Sequence, residues 1–384
     1  MTVRRKILIH CVYYPPEVGG LESHVGELAR GLVEVGHEVR VVTSRSQKGL
    51  ARDEVVTGVR IRRTPLPGRN APGWVLHAVG SLPTMVRWAR WADVLHAQAF
   101  QSVPPTALAA RAAGRPWVAT FHTSHFLLRA RRALWRPVLR RLVRWPDHAL
   151  AASTEIAEVA STLGRGARVE ALTNGVDTNR FRAVDPAMVT EPGVRRIVVP
   201  RRLYEKNGVE HFVRALPELM RAVSGIEAVV IGDGPERARL EALARELGVE
   251  RAVRFLGVRP HEEMPGLLSS AEVAVFPSLM EATSVAALEA MACELPVVAS
   301  RVGGLPEIVD DSVGVLVPPG DCGALAEGLT QLLGRSDLGQ MGKRARERVV
   351  ESWSNERLVR RHLEIYEALI SGISVQESSV AGRR

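Results

Sequence analysis

The sequence predicts an α/β protein of two domains, each a parallel sheet wound with helices on both faces. Short β-rich apolar runs alternate with longer helical stretches, the pattern that gives parallel sheets. The alternation occurs twice, on either side of residues 183–193 (AVDPAMVTEPG), where proline, glycine and polar residues replace the period. A chain of 384 residues is also long for one core and suits two.

Taken in order, residues 6–13 read as a buried strand, 21–35 as a helix stopped by Gly36, and 38–43 as the next strand. Further strands are expected at 58–63, 93–97, 117–121, 148–152 and 168–172. The second half restarts at 195–199 and continues at 227–231, 253–256, 272–276, 296–299 and 314–317. A last helix is expected at 355–370. The expected domains are 1–188 and 189–353, followed by a helical segment 354–371 and a polar, disordered tail 372–384.

Composition narrows the class. Hydrophobic residues at 46% and charged residues at 24% are ordinary for a globular chain. No run of eighteen apolar residues exists, so no bilayer-spanning helix is expected, and the apolar run 7–9 is too short for a secretory signal. Cys11, Cys293 and Cys322 match no disulfide or metal-ligand spacing, which points to a reducing, cytoplasmic setting. Net charge is +9 but uneven: residues 1–188 carry 27 Lys/Arg against 14 Asp/Glu, and residues 189–384 carry 24 against 28. The basic half expects an anionic partner: an acidic membrane, a phosphorylated substrate or a nucleic acid.

Much of that charge lies in residues 129–145 (RARRALWRPVLRRLVRW), from Arg129 through Trp145, where seven arginines have no acidic residue among them. Helical spacing puts Val138, Leu142 and Trp145 on one stripe and Arg136, Arg140 and Arg144 on another, with Pro137 starting or kinking the helix. Such a segment suits the anionic inner face of a cell membrane; the plainer alternative is a helix covering its own core with solvated arginines. Few aromatics and no nucleic-acid motif argue against nucleic acid.

The most informative stretch is 276–293 (FPSLMEATSVAALEAMAC). Seven residues separate Glu281 from Glu289, and a helix is expected from about Ser284. Glu281 then lies in the preceding loop and Glu289 on the second turn. Between them, the backbone N–H groups of Thr283, Ser284 and Val285 are helix-start donors that favour an anion. Two carboxylates flanking an anion site suit a sugar nucleotide; two unrelated glutamates on a solvated helix are the alternative.

This pattern resembles the Glu-(x)7-Glu motif of the family 4 retaining glycosyltransferases, and other pieces stand in that family's order. Gly19-Gly20 resembles the glycine loop after the first strand, and His122 the histidine kept near the reacting sugar. Asn174-Gly175-Val176-Asp177 resembles the NGVD segment before the linker, and Gly232-Asp233-Gly234-Pro235 the GDGP strand end. Gly303-Gly304 with Pro306-Glu307 matches the late glycine segment. Arg201-Arg202 with Lys206 resembles the basic pair that grips the donor diphosphate. The family's arginine-to-lysine spacing is five, whereas Arg202 to Lys206 is four and Asn207 fills the fifth place. Ala282-Thr283-Ser284 also departs from the family's glycine-rich or aromatic residues after the first glutamate.

The resemblance implies a GT-B fold, two Rossmann-like domains facing a central cleft, with the acceptor bound by the first and the nucleotide sugar by the second, and the helix 354–371 packing back on the first. It implies transfer of a hexose-type sugar from a UDP- or GDP-sugar to a glycan, lipid-linked or phospholipid acceptor. His122, Arg202, Lys206 and Glu281 are the expected catalytic group. Gly19, Gly20, Gly232, Thr283, Ser284, Val285 and Glu289, with Arg202 and Lys206, are the expected donor contacts. Glu281 is assigned to sugar hydroxyls, Glu289 to the ribose. No Asp-x-Asp occurs, so no metal or other cofactor is expected, and Arg202, Lys206 and the helix start would neutralise the leaving diphosphate. A sugar-nucleotide epimerase of the same fold and a non-catalytic polyanion binder are the alternatives.

Overall fold

A computed structural model describes residues 3–17, 19–122, 124–281, 284–373 and 375, with the side chains of Ser124 and His125 not described. The chain forms two compact units, residues 1–175 with 355–384, and residues 176–354.

The first unit holds strands β1 (Lys6–His10), β2 (Glu38–Arg45), β3 (Asp53–Val56), β4 (Val59–Pro65), β5 (Val94–Gln98), β6 (Trp117–Phe121), β7 (His148–Ala151) and β8 (Val169–Ala171). They form one sheet in the order β3-β4-β2-β1-β5-β6-β7-β8. All pairs are parallel except the β3–β4 hairpin, which the sequence reading lacks because its outer strand is mostly exposed and carries no apolar run. The inner strands are buried on both faces and therefore read as continuous apolar stretches. Covering helices are α1 (Gly20–Glu34), α2 (Ala71–Ala89), α3 (Val103–Ala113), α4 (Ser124–Ala130), α5 (Arg136–Arg144) and α6 (Thr154–Leu163).

The second unit has strands β9 (Arg195–Pro200), β10 (Ile226–Ile231), β11 (Val253–Gly257), β12 (Val273–Phe276), β13 (Val297–Ser300) and β14 (Gly314–Val317). They form a wholly parallel sheet in the order β11-β10-β9-β12-β13-β14. Its helices are α7 (Val209–Ala222), α8 (Arg237–Glu246), α9 (Met264–Leu268), α10 (Val285–Ala292), α11 (Leu305–Ile308), α12 (Cys322–Leu333) and α13 (Leu338–Trp353). One apolar cluster lies on each face of this sheet.

Two expected boundaries move. Residues 176–188 belong to the second unit, not the first. Phe181 is fully buried in that unit's core, and the Arg346 guanidinium donates to the carbonyls of Thr178 and Phe181. The chain then returns to the first unit as α14 (Asn355–Ile370), which lays Val359, Ile365, Tyr366 and Ala368 into the core containing α1. Val375, expected in the tail, is buried in that core; Ser374 and residues 376–384 lie outside the described residues.

Candidate functional site

Ligands of open α/β sheets bind at the C-terminal strand ends, where loops rather than helices meet. In the second unit, the loops after β9, β10, β12 and β13 converge there. β9 ends at Pro200 and delivers Arg201. Its Nη2 donates to Glu281 Oε2 at 2.5 Å, Ser278 Oγ at 2.7 Å and Asn207 Oδ1 at 2.9 Å. Its Nη1 lies 3.4 Å from Ser284 Oγ. The side chains of Arg201 and Glu281 are only 9% and 15% exposed, so the pair works in a partly desolvated setting where charge interactions are strong. The Arg201 Nε is buried without a hydrogen-bond partner among the described residues.

Two glycines make this convergence possible. Gly232, after β10, has φ +141, and a Cβ there would lie 2.2 Å from the Arg201 carbonyl oxygen. Gly303, after β13, has φ +53, and its Cβ would lie 1.9 Å from the Glu281 carbonyl oxygen. Any side chain at either position displaces the backbone that carries a charged group of the site. The β12 loop is tied to the β9 loop as well, since Leu279 and Met280 N–H donate to the Lys206 carbonyl at 2.9 and 3.2 Å.

Lys206 is exposed, yet the protein atoms around it push its pKa below the ordinary value, with repulsion from Arg202 adding to this and Glu281 opposing it. Arg202 is exposed and lies over the Tyr204 ring, 5.7 Å from its centroid. The geometry therefore singles out Arg201, not Arg202, as the arginine built into the cluster. Arg201 also stands five residues before Lys206, the spacing that Arg202 lacks.

α10 begins at Val285, with Ser284 as its N-cap and no side-chain capping bond. Thr283 lies outside the described residues. Glu289, on the second turn of α10, is buried and accepts from His261 Nε2 at 2.8 Å. Among the described residues, no group of three or more His, Cys, Asp or Glu side chains is placed to hold a metal ion.

In the first unit, Gly19 caps α1 and Gly20 is its first residue; a Cβ on Gly20 would meet nothing within 4 Å. His122 follows β6 and is buried, with Nε2 donating to Gln98 Oε1 at 2.6 Å. Burial, with His362 nearby, pushes its pKa down to about 3, so the ring is neutral at pH 7. Its Nε2 is thereby committed to Gln98, which the sequence reading did not single out. His24, His96 and His362 complete a buried cluster, with centroids 4.8 Å apart for His24–His122 and 5.4 Å for His96–His362.

The basic segment folds as α4 and α5, with Pro137 in the first turn of α5. The expected apolar stripe of Val138, Leu142 and Trp145 is rotated. Leu139, Leu142 and Val143 face the core, while Val138 and Trp145 stay exposed.

Residues 188–348 match the family model Glycosyl transferases group 1, and residues 18–180 match Glycosyltransferase Family 4. The chain is 30% identical to the glycogen synthase of Mycobacterium tuberculosis, across 96% of its own length and 95% of that protein's. The chain belongs to the family 4 glycosyltransferases. It is also 32% identical to the GDP-mannose-dependent alpha-(1-6)-phosphatidylinositol monomannoside mannosyltransferase of Mycolicibacterium smegmatis, covering 83% of this chain and 87% of that one. The sucrose-phosphate synthase of Thermosynechococcus elongatus superposes with a TM-score of 0.84 at 23% identity, covering 96% of this chain and 100% of that one. This glycosyltransferase therefore has the GT-B fold, each unit built on an α/β sheet that is parallel but for the β3–β4 hairpin of the first. No helix among its described residues is long and apolar enough to cross a membrane.

Proposed function

We propose that this glycosyltransferase moves a hexose-type sugar from a UDP- or GDP-sugar, with retention of anomeric configuration and without a metal ion. One observation carries the reading: Arg201 and Glu281 form a half-desolvated ion pair beside Lys206, at the strand ends where a donor binds. The pair holds both side chains in place before the donor arrives, which lowers the reorganisation needed during reaction. The donor diphosphate then lies against Arg201, Lys206 and the start of α10, and Glu281 accepts from sugar hydroxyls. As the bond from the anomeric carbon to the diphosphate breaks, charge grows on the leaving phosphate and these cations stabilise it. The same phosphate oxygen takes the proton of the attacking acceptor hydroxyl, which approaches from the face the phosphate leaves. His122, neutral and fixed by Gln98, is assigned to a sugar hydroxyl.

The test is a thermal-shift panel of nucleotide sugars with and without EDTA, with product configuration read by NMR. We expect one UDP- or GDP-sugar to raise the melting temperature undiminished by chelator, a product with the donor's configuration, and no turnover for Glu281→Ala. Loss of the shift in EDTA, or an inverted product, overturns the proposal.

For the acceptor, we infer a lipid-linked or phospholipid molecule presented at the cytoplasmic face of an anionic membrane. The exposed arginines of α5 and Leu134, 87% exposed, support this. So do Val75, Leu76 and Val79 of α2, at 63%, 57% and 65%. The Arg129 guanidinium lies over Trp74 of α2 and over Trp135, 5.7 and 5.2 Å from their centroids, tying the two elements together. Arginines at such a surface contribute about 1 kcal/mol each. Co-sedimentation with anionic but not neutral liposomes is expected; negligible binding to both refutes it.

A further inference from the structure

The segment after β11 leads into α9, which packs in the same core as α10. His261 stands on this segment with its ring centroid 5.0 Å from that of Phe181. Phe181 is itself a fixed wall, fully buried, its N–H donating to the Asp177 carbonyl. From there, His261 Nε2 reaches Glu289 Oε1 at 2.8 Å. The two side chains differ in exposure, 42% for His261 and 12% for Glu289. Glu289 Oε2 has no hydrogen-bond partner among the described residues, and it is not sealed from solvent. One oxygen of the carboxylate is held and the other is presented.

We infer that His261 is a positioning residue for the donor's ribose: it pins Glu289 Oε1 so that Oε2 is preset to accept from a ribose hydroxyl. This rests on the assignment of Glu289 to the ribose. A glutamate has three rotatable side-chain bonds, and fixing one oxygen against a histidine backed by Phe181 removes most of that freedom before the nucleotide binds. Without the histidine, Glu289 still carries its charge but searches several rotamers, and the ribose contact loses its selectivity.

The experiment is a calorimetric titration of GDP and UDP against their 2′-deoxy and 3′-deoxy counterparts, in the wild type and in His261→Leu, His261→Gln and Glu289→Gln. Whichever nucleotide binds should lose about tenfold or more in affinity when the contacted hydroxyl is removed, as expected for a hydrogen bond to a charged group. In Glu289→Gln that ratio should collapse. In His261→Leu it should shrink toward the Glu289→Gln value. His261→Gln keeps a side-chain N–H donor and should restore much of it. A general structural role for His261 would weaken ribose and deoxyribose nucleotides alike and leave the ratio intact. An unchanged ratio in His261→Leu, alongside a collapsed one in Glu289→Gln, refutes the positioning role alone. No discrimination in the wild type and no effect of Glu289→Gln refutes the ribose assignment, and the inference falls with it.

Discussion

Lowering the pH should unfold the first unit through its buried histidines. His24, His96, His122 and His362 are all buried together. Burial is the main cause that pushes each pKa down, to about 3 for His122 and about 4 for His362, and well below the usual value for His24 and His96. In the unfolded chain each titrates near 6.5. Below that pH the unfolded state binds a proton that the folded state refuses, so stability falls as pH falls. It is fully present above about 6.5 and is lost progressively down to the folded pKa. Each histidine costs about 1.4 kcal/mol per pH step in that window, and for His362 the loss is about 3 kcal/mol by pH 4. From pH 6.5 to 5 the four together remove about 8 kcal/mol, comparable with a whole domain's stability. Carboxylates titrate mostly below this window. Six of the seven tryptophans lie at positions 74–145, so urea titrations followed by tryptophan fluorescence report the first unit. The cluster contributes about 5 kcal/mol per pH step between 6 and 5, and His10 and His77 of the same unit, pushed down by burial as well, add about 2.5 kcal/mol; His362→Gln should lower the slope by about 1.2 kcal/mol per pH step. A wild-type slope below about 1.4 kcal/mol per pH step would mean that the cluster accepts protons while folded, which refutes its role in acid unfolding.

Arg201→Ala should cost about 3 kcal/mol of stability in thermal or urea unfolding, because it leaves Glu281 half-buried and unpaired, and should abolish measurable donor binding. Arg202→Ala should change stability by less than about 0.5 kcal/mol and weaken donor binding by tenfold at most; equal effects of the two substitutions would contradict the placement of Arg201. Gly303→Ala should cut turnover more than about tenfold and destabilise by about 1–3 kcal/mol, since its Cβ would collide with the Glu281 carbonyl. Wild-type kinetics in that variant would show that Glu281 need not be held. Replacing Val75, Leu76 and Val79 together with serine should weaken binding to anionic vesicles about a hundredfold while leaving donor affinity unchanged, from about 1 kcal/mol of lost apolar burial each. Unaltered co-sedimentation would remove α2 from the membrane surface.

Most strands were legible in the sequence because strands buried on both faces read as short apolar runs between helical periods, as at β6, β10 and β12. The domain boundary was not. Residues 176–188 have no period, and what binds them to the second unit is tertiary: Phe181 in its core and distant arginines on their carbonyls. Glu281 and Glu289 were singled out by their spacing and Lys206 by resemblance despite a spacing of four from Arg202, but adjacent arginines look alike in one dimension. Only the turn after Pro200 directs Arg201 inward and leaves Arg202 in solvent. The histidine cluster was invisible for a similar reason. Its members come from α1, β5, the end of β6 and α14, neighbours only because β5 and β6 pair and the chain returns after the second unit. His261 is distant in sequence from Glu289 and reaches it across packed helices, which no local motif records.

The chain leaves the first unit at Gly175 and re-enters it at Asn355, and these exits are neighbours: a Cβ on Gly175 would lie 2.7 Å from Asn355 Oδ1. On the other side, Val176 N–H donates to the Trp353 carbonyl at 2.8 Å. The second unit is thus a nested insertion whose two ends emerge side by side. A gene deletion that splices Gly175 to Asn355 through a few glycines needs no rerouting of either flank. The same seam would accept the corresponding unit of another transferase, exchanged as one cassette while the first unit keeps its own closing helix.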